Sequence, residues 1–156
     1  MEIRKIISDY EKSVEESKRQ KELERQNRIL KLQLDAEALE SFLKETVEPV
    51  FHAAEKDITG MGYPCETSLV SRRPSFLPES FRDFAIEIRL NTKTDKREDS
   101  SWFSLRYEGN FENQTITRII TPKDMPSRRS TQRPLSSMNT EAVEKDVEEF
   151  VSMVFS

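Results

Sequence analysis

The sequence predicts an α+β protein: a long N-terminal helix that is partly coiled-coil-like, a four-stranded antiparallel meander sheet, and a C-terminal amphipathic helix packed on that sheet. Three observations predict it. Residues 1–58 contain no glycine and are dominated by Ala, Leu, Glu, Lys, Gln and Arg, the residues that favour helix. After Gly60 the apolar period changes to two, most cleanly in residues 83–91, the signature of a strand with one wet face. After Asn139 the apolar period returns to that of a helix.

In the N-terminal segment, at about 100° per residue, Ile3, Ile6, Ile7, Tyr10 and Val14 share one face. Ile29, Leu32, Ala36, Leu39, Leu43, Val47, Val50 and Ala54 fall on the same face of a straight helix. Between the two apolar stripes that face carries Lys18, Lys21, Arg25 and Arg28, so the seam continues while its chemistry turns basic. The pairs Glu15–Arg19, Lys18–Glu22 and Glu24–Arg28 stand four residues apart, each worth about 0.2–0.5 kcal/mol to a helix. Pro49 lacks an N–H and crowds the carbonyl four residues back, which predicts a kink or break there, with Thr46 as N-cap of a short second helix ending at Gly60. A second apolar row, Leu30, Leu34, Ala38 and Phe42, predicts that residues 29–45 lie between two layers.

The strands follow. "DFAIEIRLN" (83–91) alternates Phe84, Ile86, Ile88 and Leu90 against Asp83, Glu87 and Arg89. "CETSLVSRR" (65–73), "SWFSLRY" (101–107) and "QTITRIITP" (114–122) complete the set, and "EGNFEN" (108–113) reads as a hairpin turn tightest at Gly109–Asn110. Residues 92–100 read as a charged loop. Residues 122–138, with three prolines and four serines, read as a flexible basic loop. Asn139 or Thr140 then caps a helix whose Val143, Val147, Phe150, Val151, Val154 and Phe155 recur at helical spacing.

One sheet face, the C-terminal stripe and residues 29–58 can cover one another in two layers. Residues 1–28 have no cover of comparable length, and at about 1.5 Å per residue they would project roughly 40 Å. The expected organisation is therefore a projecting charged helix, 1–28, and a small α-β-β-β-β-α domain, 29–156.

Composition narrows the function. Three glycines leave no Gly-rich phosphate loop, which removes P-loop and dinucleotide readings. A single cysteine, Cys65, permits no intramolecular disulfide, and no apolar run resembles a signal peptide or membrane span, so a cytoplasmic location away from membranes is expected. His52 is the only histidine and has no cysteine or second histidine to share a metal, so no cofactor or metal is expected. Carboxylates lie on helix faces where solvation and ion pairing account for them, and the expectation is a protein that is not an enzyme.

"SRRPS" (71–75) and "SRRST" (127–131) fit the Arg-Arg-x-Ser/Thr pattern of basophilic kinase targets at Ser75 and Thr131. Without phosphate, Arg72, Arg73, Arg128, Arg129 and Arg133 form a basic patch for phosphate backbones, or a solvated loop that meets the acidic C-terminal helix. Residues 122–138 hold four basic and one acidic side chain, and residues 139–156 one basic and five acidic. Trp102 could add an aromatic platform for single-stranded nucleic acid, although the pI of about 5.3 falls short of a basic signature.

The expectation from sequence is a protein-binding adaptor, inhibitor or assembly factor. Its partner-binding residues are Ile3, Ile6, Ile7, Tyr10, Val14, Lys18, Lys21, Arg25 and Arg28. It is expected to be a homodimer whose oligomer seam is Ile29, Leu32, Ala36, Leu39 and Leu43. A parallel in-register dimer on that face would stack Lys18, Lys21, Arg25 and Arg28 against their own copies. The ridge is accordingly read as solvent-exposed, as facing an acidic protein surface, or as lying on nucleic-acid phosphates. The alternative function is a nucleic-acid-associated protein using the Lys/Arg ridge and the basic loop residues Arg128, Arg129 and Arg133. A bend in the charged tract that folds residues 1–14 back on the domain is the competing arrangement, and no glycine or proline marks one.

Overall fold

Leucine, glutamate, lysine and arginine carry residues Ile3–Phe42 through one 40-residue helix, α1. The structure, a computed structural model, describes residues 2–72, 83–92, 102–121 and 130–156. These form two compact units, Met1–Leu34 and Asp35–Ser156. The first unit is helical, and none of its described side chains is buried. Arg25 and Glu22 form an ion pair at 3.8 Å there.

In the second unit, α1 ends at Phe42 and is followed by a π-helical turn, Leu43–Val47, and then α2, Glu48–Gly60. The Glu48 N–H donates to the Leu43 carbonyl, five residues back instead of four. The widened turn lies where an α-helical ladder would run into the ring of Pro49, so helical hydrogen bonding is rearranged and not broken. Thr46 accordingly lies inside the turn and caps nothing; Val47 takes the N-cap position with no side-chain bond. The end of α2 is a Schellman motif in which Gly62, at φ +95°, supplies the left-handed residue. Its N–H donates to the Thr59 carbonyl at 3.0 Å, and the Tyr63 N–H reaches the Ile58 carbonyl at 3.3 Å.

The sheet has five antiparallel strands in sequence order, where four were expected: β1 (Cys65–Arg72), β2 (Asp83–Asn91), β3 (Trp102–Asn110), β4 (Thr115–Thr121) and β5 (Thr131–Pro134). The fifth strand was hidden in a segment whose prolines and serines read as loop. It pairs with β4 from Thr131↔Arg118 to Pro134↔Thr115, and a proline is tolerated there because β5 is an edge. The β3–β4 turn also falls two residues later than expected. Gly109 and Asn110 belong to β3, the chain turns over residues 111–114, and Gln114 takes φ 52°. The glycine serves packing instead: a Cβ at Gly109 would lie 2.4–2.8 Å from the Leu39 side chain.

Register fixes which side chains meet. Ile88, Leu105 and Ile120 align across β2, β3 and β4 on the inner face, and Ile86, Tyr107 and Arg118 form the next row. Ala36, Leu39, Leu43, Val47, Phe51 and Ile58 cover this face together with Val143, Val147, Phe150 and Val154 of α3 (Thr140–Val154). Asn139 caps α3 by accepting from the Ala142 N–H at 2.8 Å, as expected from sequence. On the outer face an ion-pair chain runs Glu66–Arg89–Glu87–Arg106–Glu108 across β1, β2 and β3, at 3.0, 3.8, 3.5 and 2.9 Å.

Of the expected loop at 92–100 only Thr92 is among the described residues, and Arg73, Ser75, Arg128 and Arg129 lie outside them. Residues 29–45 are not sandwiched as the second apolar row implied: Leu30, Leu34 and Ala38 are exposed and Phe42 is half-buried.

Candidate functional site

The first unit presents its apolar residues to solvent. Ile3, Ile6, Ile7 and Tyr10 are 53, 66, 51 and 69% exposed, and Val14 is half-buried. They share a face because helical spacing of three and four residues stacks side chains in one row. Lys18, Lys21, Arg25 and Arg28 extend the row and are exposed along its length. The surface is therefore a ridge, apolar for its first three turns and cationic for the next three.

The expected oligomer seam is divided. Ile29 and Leu32 are half-buried, whereas Ala36, Leu39 and Leu43 are buried in the core of the second unit, the leucines completely. Those three pack against the chain's own sheet and are not open to another copy. The physical reason is the close approach at Gly109, which admits Leu39 against β3.

Sequence reasoning missed one residue on α1. Leu23 is 52% exposed, and it joins Leu30 and Leu34, 57 and 65% exposed, in a row well away from the Ile3–Arg28 ridge. Its signal was available in the spacing of 23, 30 and 34, but the surrounding charge obscured it.

In the second unit the basic residue Arg133 belongs to β5 and not to a loop. Its Nη2 donates to both carboxylate oxygens of Asp146, at 2.9 and 2.8 Å. Arg118 reaches Asp146 at 3.1 Å and Glu149 at 3.3 Å, and the Tyr107 hydroxyl donates to Asp146. Asp146 is buried within the apolar stripe of α3, a charged residue that periodicity alone did not mark. Burial, with the hydrogen bond to Asp146 adding to it, pushes the Tyr107 phenol well above its ordinary range. Partial burial opposes the Arg133 charge, yet bonding to Asp146 holds its affinity for the proton above the ordinary value. The cluster closes charge on charge, which is the chemistry of a structural lock.

His52 is exposed on α2, with Nδ1 3.1 Å from Glu55 and Nε2 3.2 Å from Glu48. The Glu55 bond raises its pKa, partial burial works the other way, and Glu48 adds to the rise. The Cys65 thiol is buried and pushed up to about 12, chiefly by desolvation. Trp102 is half-buried, and the Arg89 guanidinium sits 4.7 Å from the centre of its ring, occupying the face that would stack a base.

Between the C-terminal ends of α2 and α3, Ile58, Met61, Tyr63, Val151 and Phe155 line an open apolar groove of about 290 Å³. Tyr63 and Phe155 meet edge to face at 4.9 Å. Among the described residues, no three His, Cys, Asp or Glu side chains gather as metal ligands, and no helix is long and apolar enough to cross a membrane. Comparison of the chain with protein-family models, with curated proteins and with solved structures finds no match.

Proposed function

We propose that this protein works without catalysis, as an adaptor, inhibitor or assembly factor that binds another protein through the N-terminal ridge of α1. One observation carries the reading: Ile3, Ile6, Ile7 and Tyr10 stand half to two-thirds exposed in a row, on a helix in which only Ala36 and Leu39 are buried. Fully burying a side chain of this size gains about 1.5–3 kcal/mol over leaving it in water. Four that are at least half exposed hold several kcal/mol in reserve for a partner. Solitary exposed apolar residues are ordinary, whereas a contiguous row at helical spacing is what a groove-binding helix presents.

The chemistry of the ridge describes the partner. It has an apolar groove about three helical turns long, continued by an acidic surface that faces Lys18, Lys21, Arg25 and Arg28. Ile3 to Arg28 spans roughly 38 Å at about 1.5 Å per residue. The cations act mainly on encounter rate and orientation, because exposed charges steer association more than they add affinity.

The test compares the full chain with Ile7→Asp as baits and then re-measures binding with the captured protein purified. Ile7→Asp is expected to abolish binding while the melting temperature moves by less than about 2 °C. Charge reversal at Lys18 and Lys21 is expected to slow association and to flatten its dependence on salt. Collapse of the folded protein in Ile7→Asp would sink the proposal and favour residues 1–14 folding back on the chain.

The alternative, a nucleic-acid role that joins the ridge to the basic loop and to Trp102, loses two of its parts outside the ridge. Arg133 is committed to Asp146, and the face of Trp102 is covered by Arg89. Tight binding to a labelled oligonucleotide that falls steeply with added salt would restore that reading over the one preferred here.

A further inference from the structure

Leu23, Asn27, Leu30 and Leu34 recur at intervals of four, three and four residues, and at about 100° per residue they fall within roughly 60° of one another. That is the seam spacing of a coiled coil. It assigns Leu23 and Leu30 to d positions, Asn27 and Leu34 to a positions and Gln20 to the preceding a. All three leucines are more than half exposed.

Three features of this frame specify the occupant. Leucine at d with an asparagine at a favours a parallel two-stranded coiled coil, where the asparagines bond to each other across the seam and fix register, and Gln20 gives the seam a second polar a position. The same frame sets Arg19 at g and Glu24 at the next e, so in a parallel, in-register pair each arginine faces the glutamate of the other copy. An antiparallel pair would set Asn27 against Leu30 and lose the amide's partner. Finally, Lys18, Lys21, Arg25 and Arg28 fall at f, b, f and b, the positions farthest from the seam. The like-charge stacking that opposes a dimer through the other face is absent here.

We propose that residues 19–34 of α1 bind a second copy of this chain as a parallel, in-register, two-stranded coiled coil. The seam is bounded by charge, with Glu16 and Glu37 at the flanking d positions. It is therefore about two heptads long and gives a concentration-dependent monomer–dimer equilibrium. The helix is already formed, which removes most of the ordering cost that defeats short coiled coils. The pairing uses a different face from the partner-binding ridge, and it does not rest on the function proposed above.

Sedimentation equilibrium of the full chain over a wide concentration range tests it. The expected mass rises from one chain toward two. Leu23→Glu with Leu30→Glu, both substitutions to a good helix former, is expected to hold the protein monomeric throughout, with unchanged helix content. Arg19→Glu alone is expected to weaken the dimer several-fold, and Arg19→Glu with Glu24→Arg to restore it. Gln20→Cys is expected to oxidise to a cross-linked dimer, since only a parallel register brings the two positions together. A full chain that stays monomeric at every concentration overturns the proposal. So does a dimer that survives the leucine substitutions and is lost in Ile7→Asp, an outcome that transfers self-association to the ridge and leaves the leucine row without a role.

Discussion

At Asp146 one buried carboxylate answers two arginines and a phenol. Asp146→Asn keeps the shape and removes the charge, leaving Arg118 with Glu149 as its remaining carboxylate and Arg133 with no carboxylate bonded to it among the described residues. The expected loss is about 2–3 kcal/mol in chemical denaturation, below the 3–5 kcal/mol of a fully buried pair because Arg133 is only partly covered. A variant as stable as the parent would remove the structural-lock reading. Alkali tests two other residues. Cys65 and Tyr107 both hold their protons more tightly when folded than when unfolded, Cys65 to about 12 against an ordinary 9.0. The unfolded chain thus releases protons first, so stability is fully present below about pH 9 and declines as pH rises above it. Cys65→Ala should flatten the first part of that decline. In the native protein the thiol should resist a disulfide reagent until denaturant is added, and prompt labelling would contradict its burial.

At the scale of elements, the close approach of α1 to the sheet depends on what Gly109 lacks. Gly109→Ala places a methyl group within 2.4–2.8 Å of Leu39. The expected cost is about 1–3 kcal/mol, the range for overpacking. Adding Leu39→Ala should make the pair of substitutions less costly than their sum, and strict additivity would show that the two residues do not meet. This glycine also shows where the sequence was legible and where it was not. Period-two alternation located β2 and β3, and β-branched residues marked β4, within a residue or three, because these strands bury one face; the stretch 65–73 matched β1 to within one residue. Helical spacing located α3 and its Asn139 cap for the same reason. Gly109 read as a turn residue because glycine has two uses, conformational freedom and small size, and a sequence does not say which applies. β5 went unread because four residues with a terminal proline have too little alternation to register, and only pairing with β4 defines them. Pro49 announced a disturbance correctly but not its form, since a π-turn and a helix break begin from the same missing N–H. The ridge of α1 was readable residue by residue, whereas which apolar residues of α1 the sheet would claim depended on packing.

For the molecule as a whole, the buried residues named in the core all belong to Asp35–Ser156. A version beginning at Ile29 should therefore fold and melt within a few degrees of the full chain, as followed by circular dichroism. A large drop would mean that residues 1–28 contribute to the stability of the rest. The strand order β1-β2-β3-β4-β5 has a different consequence, one of time and not of stability. Each strand lies beside its neighbour in sequence, so the sheet can zip from one hairpin to the next without waiting for distant segments to meet. The helices are the exceptions: α1 must bring Leu39 to Gly109 from the far end of the sequence, and α3 must bring Asp146 to the arginines of β4 and β5. Assembly of this chain should be quick in its strands and gated by the docking of its helices.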